Sequence, residues 1–183
     1  MAPPLRPDRS IALIGLMGAG KSSVGRRLAR RLRLPFIDSD AEIEEAAGLA
    51  VAEIFARYGE PYFRDGERRV IARLAAGPPR IIATGGGAFV DPETRALLLE
   101  RCTVIWLNAG IETLAERVGR NDCRPLLRGK DPHALLAQLA DARNPLYAQA
   151  HIRVESDRGP AERVVDRILR ALKAQSRTSH SEA

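Results

Sequence analysis

A short glycine-rich segment between a predicted strand and a predicted helix constrains the fold more than any other feature of this chain. Residues 15–22 read GLMGAGKS, which fits the pattern G-x-x-x-x-G-K-[ST]. The apolar run 11–14 precedes it as a buried strand, and Val24, Leu28 and Leu32 mark one face of the helix that follows. The glycines let backbone N–H groups converge on a polyphosphate at the positive end of that helix. The sequence therefore predicts a nucleoside triphosphate site.

The type of chemistry is narrowed by what accompanies this loop. In such a pattern Lys21 would reach the β- and γ-phosphates, and the Ser22 hydroxyl would complete the coordination of a magnesium ion. The chain lacks the [NT]KxD and DxxG motifs of GTPases. Its loop carries a Lys-Ser pair in place of the dinucleotide-binding pattern G-x-G-x-x-G. A small-molecule kinase or an ATPase remains.

Short apolar runs alternate with amphipathic segments along the rest of the chain. Further strands are predicted at 36–37, 81–83, 104–107 and 152–154. Helices are predicted at 41–47, 51–57, 61–76, from 92 onward, 111–118, 133–143 and 160–174. This alternation predicts an α/β fold with a central parallel sheet of five strands covered by helices on both faces. Ligands of such sheets bind at the carboxyl ends of the strands.

The chain of 183 residues is long enough for one domain with a small appended segment. We predict an N-terminal extension at 1–9, a single domain at 10–174 and a polar tail at 175–183. Residues 119–132 form a basic, irregular stretch that is either a mobile lid or a solvated loop, and a lid is favoured.

Charge and cysteine content limit the partners and the compartment. The chain has 29 Lys and Arg against 23 Asp and Glu, so its net charge of +6 suits nucleic acid or an anionic small molecule. Aromatic residues make up only 4%, which argues against a stacking surface for nucleic acid. No secretory h-region and no membrane-length apolar run is present, and two cysteines do not make a disulfide framework. We expect a cytoplasmic monomer that binds neither nucleic acid nor membrane.

Two carboxylates follow the second predicted strand. Asp38 and Asp40 are two residues apart, so both side chains would leave the same face of an extended segment. One would then face the water shell of the metal and the other an acceptor hydroxyl. The alternative is a capping box formed by Ser39 and Glu42, with Asp40 a plain acid of the first helical turn.

Two further patterns lie between residues 60 and 90. Arg64 and Glu67 are neighbours at i and i+3 of a predicted helix, which by itself is more typical of a solvated salt bridge than of a site. Gly85, Gly86 and Gly87 end the third strand. Three glycines give a backbone that a ligand can approach closely, whereas a plain turn usually needs only one.

Together these segments resemble the shikimate kinase family, P-loop enzymes akin to the nucleoside monophosphate kinases. The resemblance extends from about residue 11 to residue 172 and rests on GLMGAGKSS at 15–23, DSD at 38–40, FRDGE at 63–67, TGGGA at 84–88, RPLL at 124–127 and RNPLY at 143–147. It implies a P-loop NTPase fold of three α/β/α layers, with a substrate-binding helical segment at about 38–66 and a lid at 119–132. It also implies phosphorylation of the 3-hydroxyl of shikimate by ATP, a step of aromatic amino-acid biosynthesis on the way to chorismate. Another small-molecule kinase of this fold, such as a gluconate kinase, is the alternative.

The resemblance also implies roles for individual residues on the nucleotide side. Binding of ATP would involve Gly18, Ala19, Gly20, Lys21, Ser22, Ser23, Arg117, Arg124 and Arg158, the last within a turn that holds adenine. Mg²⁺ would be bound by Ser22, with Asp38 in its outer sphere. Lys21, Asp40 and Arg124 would act in catalysis.

On the acceptor side, the resemblance implies that Asp40 holds the hydroxyl groups of shikimate. Arg64 and Arg143 would clamp its carboxylate, and Glu67 would orient Arg64. Gly85, Gly86 and Gly87 would offer their backbone to the ring.

Overall fold

The computed structural model of the chain describes residues 7–120, 129, 131–156 and 158–181, with backbone only for 177–181. Five strands form one parallel sheet in the order β2-β3-β1-β4-β5. The strands are β1 (Ile11–Ile14), β2 (Phe36–Asp38), β3 (Ile81–Ala83), β4 (Thr103–Asn108) and β5 (Ile152–Glu155). The helices are α1 (Lys21–Leu32), α2 (Ser39–Ala47), α3 (Val51–Ala76), α4 (Pro92–Arg101), α5 (Ile111–Gly119), α6 (Pro132–Tyr147) and α7 (Ala161–Ser181), with a 3-10 turn at Ala88–Val90.

Strand β1 lies at the centre of the sheet. Ile11 is opposite Ile81 of β3 on one side and Thr103 of β4 on the other, and all four residues of β1 are buried. Helices α1 and α7 pack against each other, as do α3 and α4. Right-handed crossovers place these two pairs on opposite faces of the sheet. The prediction of an α/β fold with a five-stranded parallel sheet is confirmed.

Helix α3 joins two segments that the sequence predicts as separate helices. Gly59 interrupts it with φ 81° and ψ 174°, a conformation that favours glycine, and Pro61 lies in the first turn after the kink. The helix before the kink and the helix after it therefore run in different directions. The part after the kink carries Arg64 and Glu67.

Two helices extend beyond their predicted ends. Helix α6 continues past Arg143 to Tyr147 in spite of Pro145, which removes only one backbone donor close to the end of the helix. Helix α7 runs to Ser181, so the predicted tail 175–183 is helical over most of its length. Pro145 in the first extension and the polar residues of the second are weak helix formers, which is why the sequence placed both ends too early.

The start of α2 contradicts two predictions about the DSD segment. Asp38 ends β2 and caps α2, because its Oδ1 accepts a hydrogen bond of 3.1 Å from the backbone N–H of Asp40. Asp40 therefore belongs to the first helical turn, and the expectation that both carboxylates leave one face of an extended strand is wrong. The alternative correctly placed Asp40 in the first helical turn, but its Ser39–Glu42 capping box is wrong because Asp38 caps the helix. Ser39 is buried, and its hydroxyl accepts a hydrogen bond of 3.2 Å from the backbone N–H of Gly85.

Large side chains fill the space between the sheet and its helices. Phe89, Leu98 and Tyr147 are completely buried on the α4 and α6 side, and Leu28 and Ile168 on the α1 and α7 side.

Within the part of the chain that the structure describes, no helix combines the length and the apolar character needed to cross a bilayer.

Candidate active site

The phosphate loop lies between the carboxyl end of β1 and the start of α1. Gly18 and Gly20 adopt φ of 81° and 90°, and Gly20 caps α1 in the left-handed region. Residues with a Cβ rarely adopt this conformation, so the loop depends on glycine at both positions. The first hydrogen bond of α1 runs from Val24 N–H to the Gly20 carbonyl at 2.8 Å. The N–H groups of the first turn and the helix dipole make this end suitable for an anion.

Two basic side chains bond to the carbonyl oxygens of this loop. The Lys21 ammonium donates to Gly15 at 2.7 Å and to Leu16 at 3.0 Å. Arg117 donates from Nη1 to the Gly18 carbonyl at 3.2 Å. These contacts place two cations directly on the loop, where they can contact the oxygens of a bound polyphosphate.

A buried serine beside Arg117 also holds this loop. Ser156 follows β5, is 2% exposed, and its hydroxyl donates to the Ala19 carbonyl at 2.8 Å. The hydroxyl oxygen of Ser156 also accepts a hydrogen bond of 3.2 Å from Arg117 Nη1. Ser156 thereby connects the loop, the last strand of the sheet and helix α5.

Ser22 and Asp38 meet at the edge of the loop. The Ser22 hydroxyl donates to Asp38 Oδ2 at 2.9 Å, while Asp38 Oδ1 caps α2. A hydroxyl beside a carboxylate is an oxygen donor set that suits Mg²⁺, which is typically held by one or two protein oxygens together with phosphates and water. In the described residues, His, Cys, Asp and Glu form no group of three that could hold a metal by itself. The residues present fit a magnesium ion that nucleotide phosphates help to hold.

The loop opens into a single cavity of ≈ 660 Å³ that also contains the predicted acceptor residues. Its walls include Lys21, Ser22 and Arg117 of the nucleotide side predicted above, and Asp40, Arg64, Glu67, the three glycines and Arg143 of the predicted acceptor side. Asp38 lies between the two sides. A nucleotide phosphate and a small acceptor could therefore meet inside one cavity.

Arg64 is held by two carboxylates of α3. Its Nη1 donates to Glu67 Oε2 at 2.6 Å, and its Nη2 lies 3.2 Å from Glu60 Oε1. Glu67 is only 1% exposed, and its Oε1 has no hydrogen-bond partner. Burial raises the pKa of Glu67 above its ordinary value, although the Arg64 bond opposes this shift. The sequence predicts a solvated salt bridge between Arg64 and Glu67. The salt bridge exists, but both residues line the cavity and Glu67 is buried.

The three glycines after β3 leave room for the charged side chains of the acceptor side. A Cβ on Gly85 would lie 2.8 Å from Asp40 Oδ1, and a Cβ on Gly87 would lie 2.5 Å from Arg64 Nη2. A Cβ on Gly86 would lie 3.3 Å from Arg143 Nη1. Each glycine therefore lies next to a residue that is predicted to bind the acceptor. A side chain at any of the three positions would crowd that residue.

Comparison with known proteins agrees with this geometry. The family model described as shikimate kinase matches residues 17–173 of the chain. The shikimate kinase of Caulobacter vibrioides is 59% identical over 170 residues, which cover 93% of this chain and 84% of that protein. The chain belongs to the shikimate kinase family. The prediction of the family, and with it of the phosphotransferase class, is confirmed.

Solved structures of the shikimate kinase family have the same fold. A shikimate kinase from Acinetobacter baumannii in complex with shikimate superposes with a TM-score of 0.87 at 38% identity, covering 91% of this chain and 94% of that chain. A gluconokinase from Sinorhizobium meliloti superposes with a TM-score of 0.65 at 20% identity, covering 98% and 99% of the two chains. At that identity the likeness extends to the fold alone, so the gluconate kinase alternative is not favoured.

Some residues that the shikimate kinase resemblance singled out do not line the large cavity. Ala19 is buried, and it contributes its carbonyl to Ser156. Arg158 is exposed and lies 3.4 Å from Glu116 Oε2. Gly159 instead lines a smaller cavity of ≈ 260 Å³, together with Gly20, Ser23, Val24, Arg117, Ser156, Ala161 and Val164. Arg124 and most of the predicted lid lie outside the described residues.

Several side chains of the site were given no role by the sequence. Phe55 and Phe63 line the cavity with ring centroids 4.6 Å apart. Tyr147 contacts the glycine segment from α6. Phe63 and Tyr147 belong to the FRDGE and RNPLY segments, so position within a quoted motif was the available signal. Ser156 had only its place after a strand, where ligands of parallel sheets are found.

Proposed function

We infer that this chain transfers the γ-phosphoryl group of ATP to the 3-hydroxyl of shikimate, giving shikimate 3-phosphate and ADP. The observation that carries the proposal is the single cavity in which a phosphate loop faces two arginines, a carboxylate and a glycine backbone. The Acinetobacter relative, 38% identical, is a shikimate complex by its own description. The reaction is a step of aromatic amino-acid biosynthesis, and we propose that the chain performs it as a cytoplasmic monomer.

The nucleotide would occupy both cavities. Its phosphates would lie on the loop 18–23, against Lys21 and Arg117, and its base would enter the smaller cavity beside Gly159. Arg117 and Ser23 line both cavities and would contact the nucleotide between phosphate and base. Arg158 would close the base site from the surface.

A magnesium ion would be held by Ser22, with Asp38 accepting hydrogen bonds from its water shell. When bound, the ion supplies positive charge to the phosphate oxygens during transfer. The bond from Ser22 to Asp38 keeps the serine hydroxyl at the edge of the phosphate loop. Lys21 would add a positive charge near the transferring phosphoryl group from the loop itself. Arg124, which belongs to the predicted lid, would add another.

The acceptor would bind through its carboxylate and its hydroxyl groups at opposite ends. Arg64 and Arg143 would bind the carboxylate, because guanidinium groups donate parallel N–H bonds to it. Glu67 would keep Arg64 in place through their 2.6 Å bond. Phe55 and Phe63 would pack against the ring, since both line the same wall.

Asp40 would accept a hydrogen bond from the 3-hydroxyl and direct its oxygen toward the γ-phosphorus. The hydroxyl oxygen forms the new bond to phosphorus as the bond to the leaving ADP oxygen breaks, and the hydroxyl proton passes late in the step to the Asp40 carboxylate that accepts its hydrogen bond. Phosphoryl transfer needs mainly positioning and charge stabilisation, so orientation by Asp40 is sufficient. Gly85, Gly86 and Gly87 would contact the ring closely, because they carry no Cβ.

An acceptor panel tests the proposal. Release of ADP is measured by a coupled assay with shikimate, its methyl ester and gluconate at matched concentrations. We expect turnover with shikimate, a large rise of KM for the uncharged ester, and no comparable rate with gluconate. Equal rates with gluconate and shikimate would overturn the choice of acceptor, and equal KM values for shikimate and its ester would overturn the arginine clamp.

A further inference from the structure

The carbonyl oxygen of Gly86 accepts hydrogen bonds from two side chains of α6. Arg143 donates from Nη1 at 3.0 Å, and Tyr147 donates from its hydroxyl. Tyr147 has 0% exposure, so Gly86 is the partner that satisfies its hydroxyl. Burial raises the pKa of Tyr147, although the neighbouring Arg143 guanidinium opposes this shift, so the phenol keeps its proton and remains a donor at neutral pH. The Gly86 carbonyl is therefore bonded twice in this structure.

Arg143 has a second task in the proposed function, on which this inference rests. Binding a carboxylate with two parallel N–H groups requires a guanidinium to turn toward the ligand. The bond from Arg143 to the Gly86 carbonyl weakens when it does so. A carbonyl with two lone pairs keeps a partner only if another donor is present.

We propose that Tyr147 is a positioning residue that holds the Gly86 carbonyl and thereby frees Arg143 to bind the carboxylate of the acceptor. When Arg143 turns away from Gly86, the Tyr147 hydroxyl still donates a hydrogen bond to the Gly86 carbonyl. Without the hydroxyl, Gly86 and the acceptor compete for the same guanidinium. The loss appears as weaker acceptor binding, whereas the phosphate loop is untouched.

The first test is the variant Tyr147→Phe, which removes the hydroxyl and keeps the ring. We expect the KM for shikimate to rise about five- to tenfold, which is the loss of one hydrogen bond, with the KM for ATP and kcat unchanged. Tyr58→Phe is the matched control, because Tyr58 is exposed on α3 and does not line the cavity. It should leave all three kinetic constants at their wild-type values.

The fold around the substitution can be monitored in the same samples. Trp106 is the only tryptophan of the chain, and its ring centroid lies 6.0 Å from that of Tyr147. An unchanged Trp106 emission spectrum would show that packing around residue 147 is retained. A large loss of thermal stability in Tyr147→Phe would instead assign the hydroxyl a structural role and overturn the proposal.

Tyr147→Phe made in the Arg143→Ala variant distinguishes an effect on Arg143 from a distortion of the glycine segment. When Arg143 is replaced by Ala, no guanidinium remains for which Gly86 and the acceptor compete. Tyr147→Phe should then produce no further rise of the shikimate KM. An equal rise in both backgrounds, or no rise in either, would overturn the role of Tyr147. If the wild-type chain did not phosphorylate shikimate at all, the proposed function would fail instead, so the two failures are distinguishable.

Discussion

Gly87→Ala tests whether the position of Arg64 controls acceptor binding. Gly87 has φ of −95° and ψ of −10°, which alanine adopts without strain, so the backbone has no reason to change. The new Cβ would lie 2.5 Å from Nη2, 2.8 Å from Nη1 and 2.9 Å from Cζ of Arg64. Favourable contacts between such atoms need about 3.5–4.0 Å, so the guanidinium must move by about 1 Å. Arg64 is flexible enough to do so, but it then leaves its place beside Glu67.

The size of the effect follows from the contact that is disturbed. A hydrogen bond to a charged group contributes about 1.5–3 kcal/mol, so weakening one Arg64 contact should raise the shikimate KM about 10- to 150-fold. The melting temperature should change little, because the restriction that alanine places on the unfolded chain opposes the loss of the contact between Arg64 and the buried Glu67. Initial rates of ADP release at saturating ATP and varied shikimate provide the measurement.

A control for this prediction lies on the same helix as Arg64. A Cβ on Gly66 would meet nothing within 4 Å, so Gly66→Ala is the same chemical change without the collision. It should leave the shikimate KM unchanged. If Gly87→Ala also left it unchanged while the protein stayed folded, Arg64 would not bind the acceptor from the place that the structure gives it.

Three further predictions concern the phosphate loop and the buried glutamate. Lys21→Ala should lower kcat about 10²- to 10³-fold, measured by ADP release, because one cation is lost from the transferring group. Ser156→Ala leaves the Ala19 carbonyl without its donor and should weaken ATP binding by about 1–3 kcal/mol in calorimetry, with the shikimate KM retained. The raised pKa of Glu67 means that the folded protein binds more protons than the unfolded chain just above pH 4.5, so stability contributed by this group falls as pH rises through its folded pKa. Glu67→Gln should remove that fall in urea unfolding series, and an identical pH dependence in both proteins would contradict the assignment.

The strands and the phosphate loop could be predicted from the sequence because their signals are local. The run 11–14 is apolar throughout, and the Gly-Lys-Ser pattern follows it directly. A buried parallel strand and a loop that needs glycine at fixed positions leave little choice of residues. The alternation of strands and helices then indicates a parallel sheet, and right-handed crossovers limit its topology without specifying the strand order.

The acceptor side could be predicted only in part because its geometry depends on contacts between distant segments. The cap that Asp38 places on α2 turned Asp40 into a helical residue, and no spacing rule distinguishes this from an extended pair. Ser156 and Ala19 are 137 residues apart in sequence. A buried serine or tyrosine reveals its partner only when the fold brings a carbonyl within hydrogen-bond distance.

Strands β1 and β2 are not held equally in the sheet, and this difference predicts which part of the fold unfolds locally first. Strand β2 pairs with β3 alone, over three positions, whereas β1 is paired on both sides. Amide protons of β2 should therefore exchange with solvent well before those of β1, since edge pairs open locally at low cost. Such an opening loosens Asp38 and the start of α2 while the phosphate loop keeps its support from the central strand. The start of α2, which carries Asp40, can thus fluctuate on a timescale that differs from that of the phosphate loop.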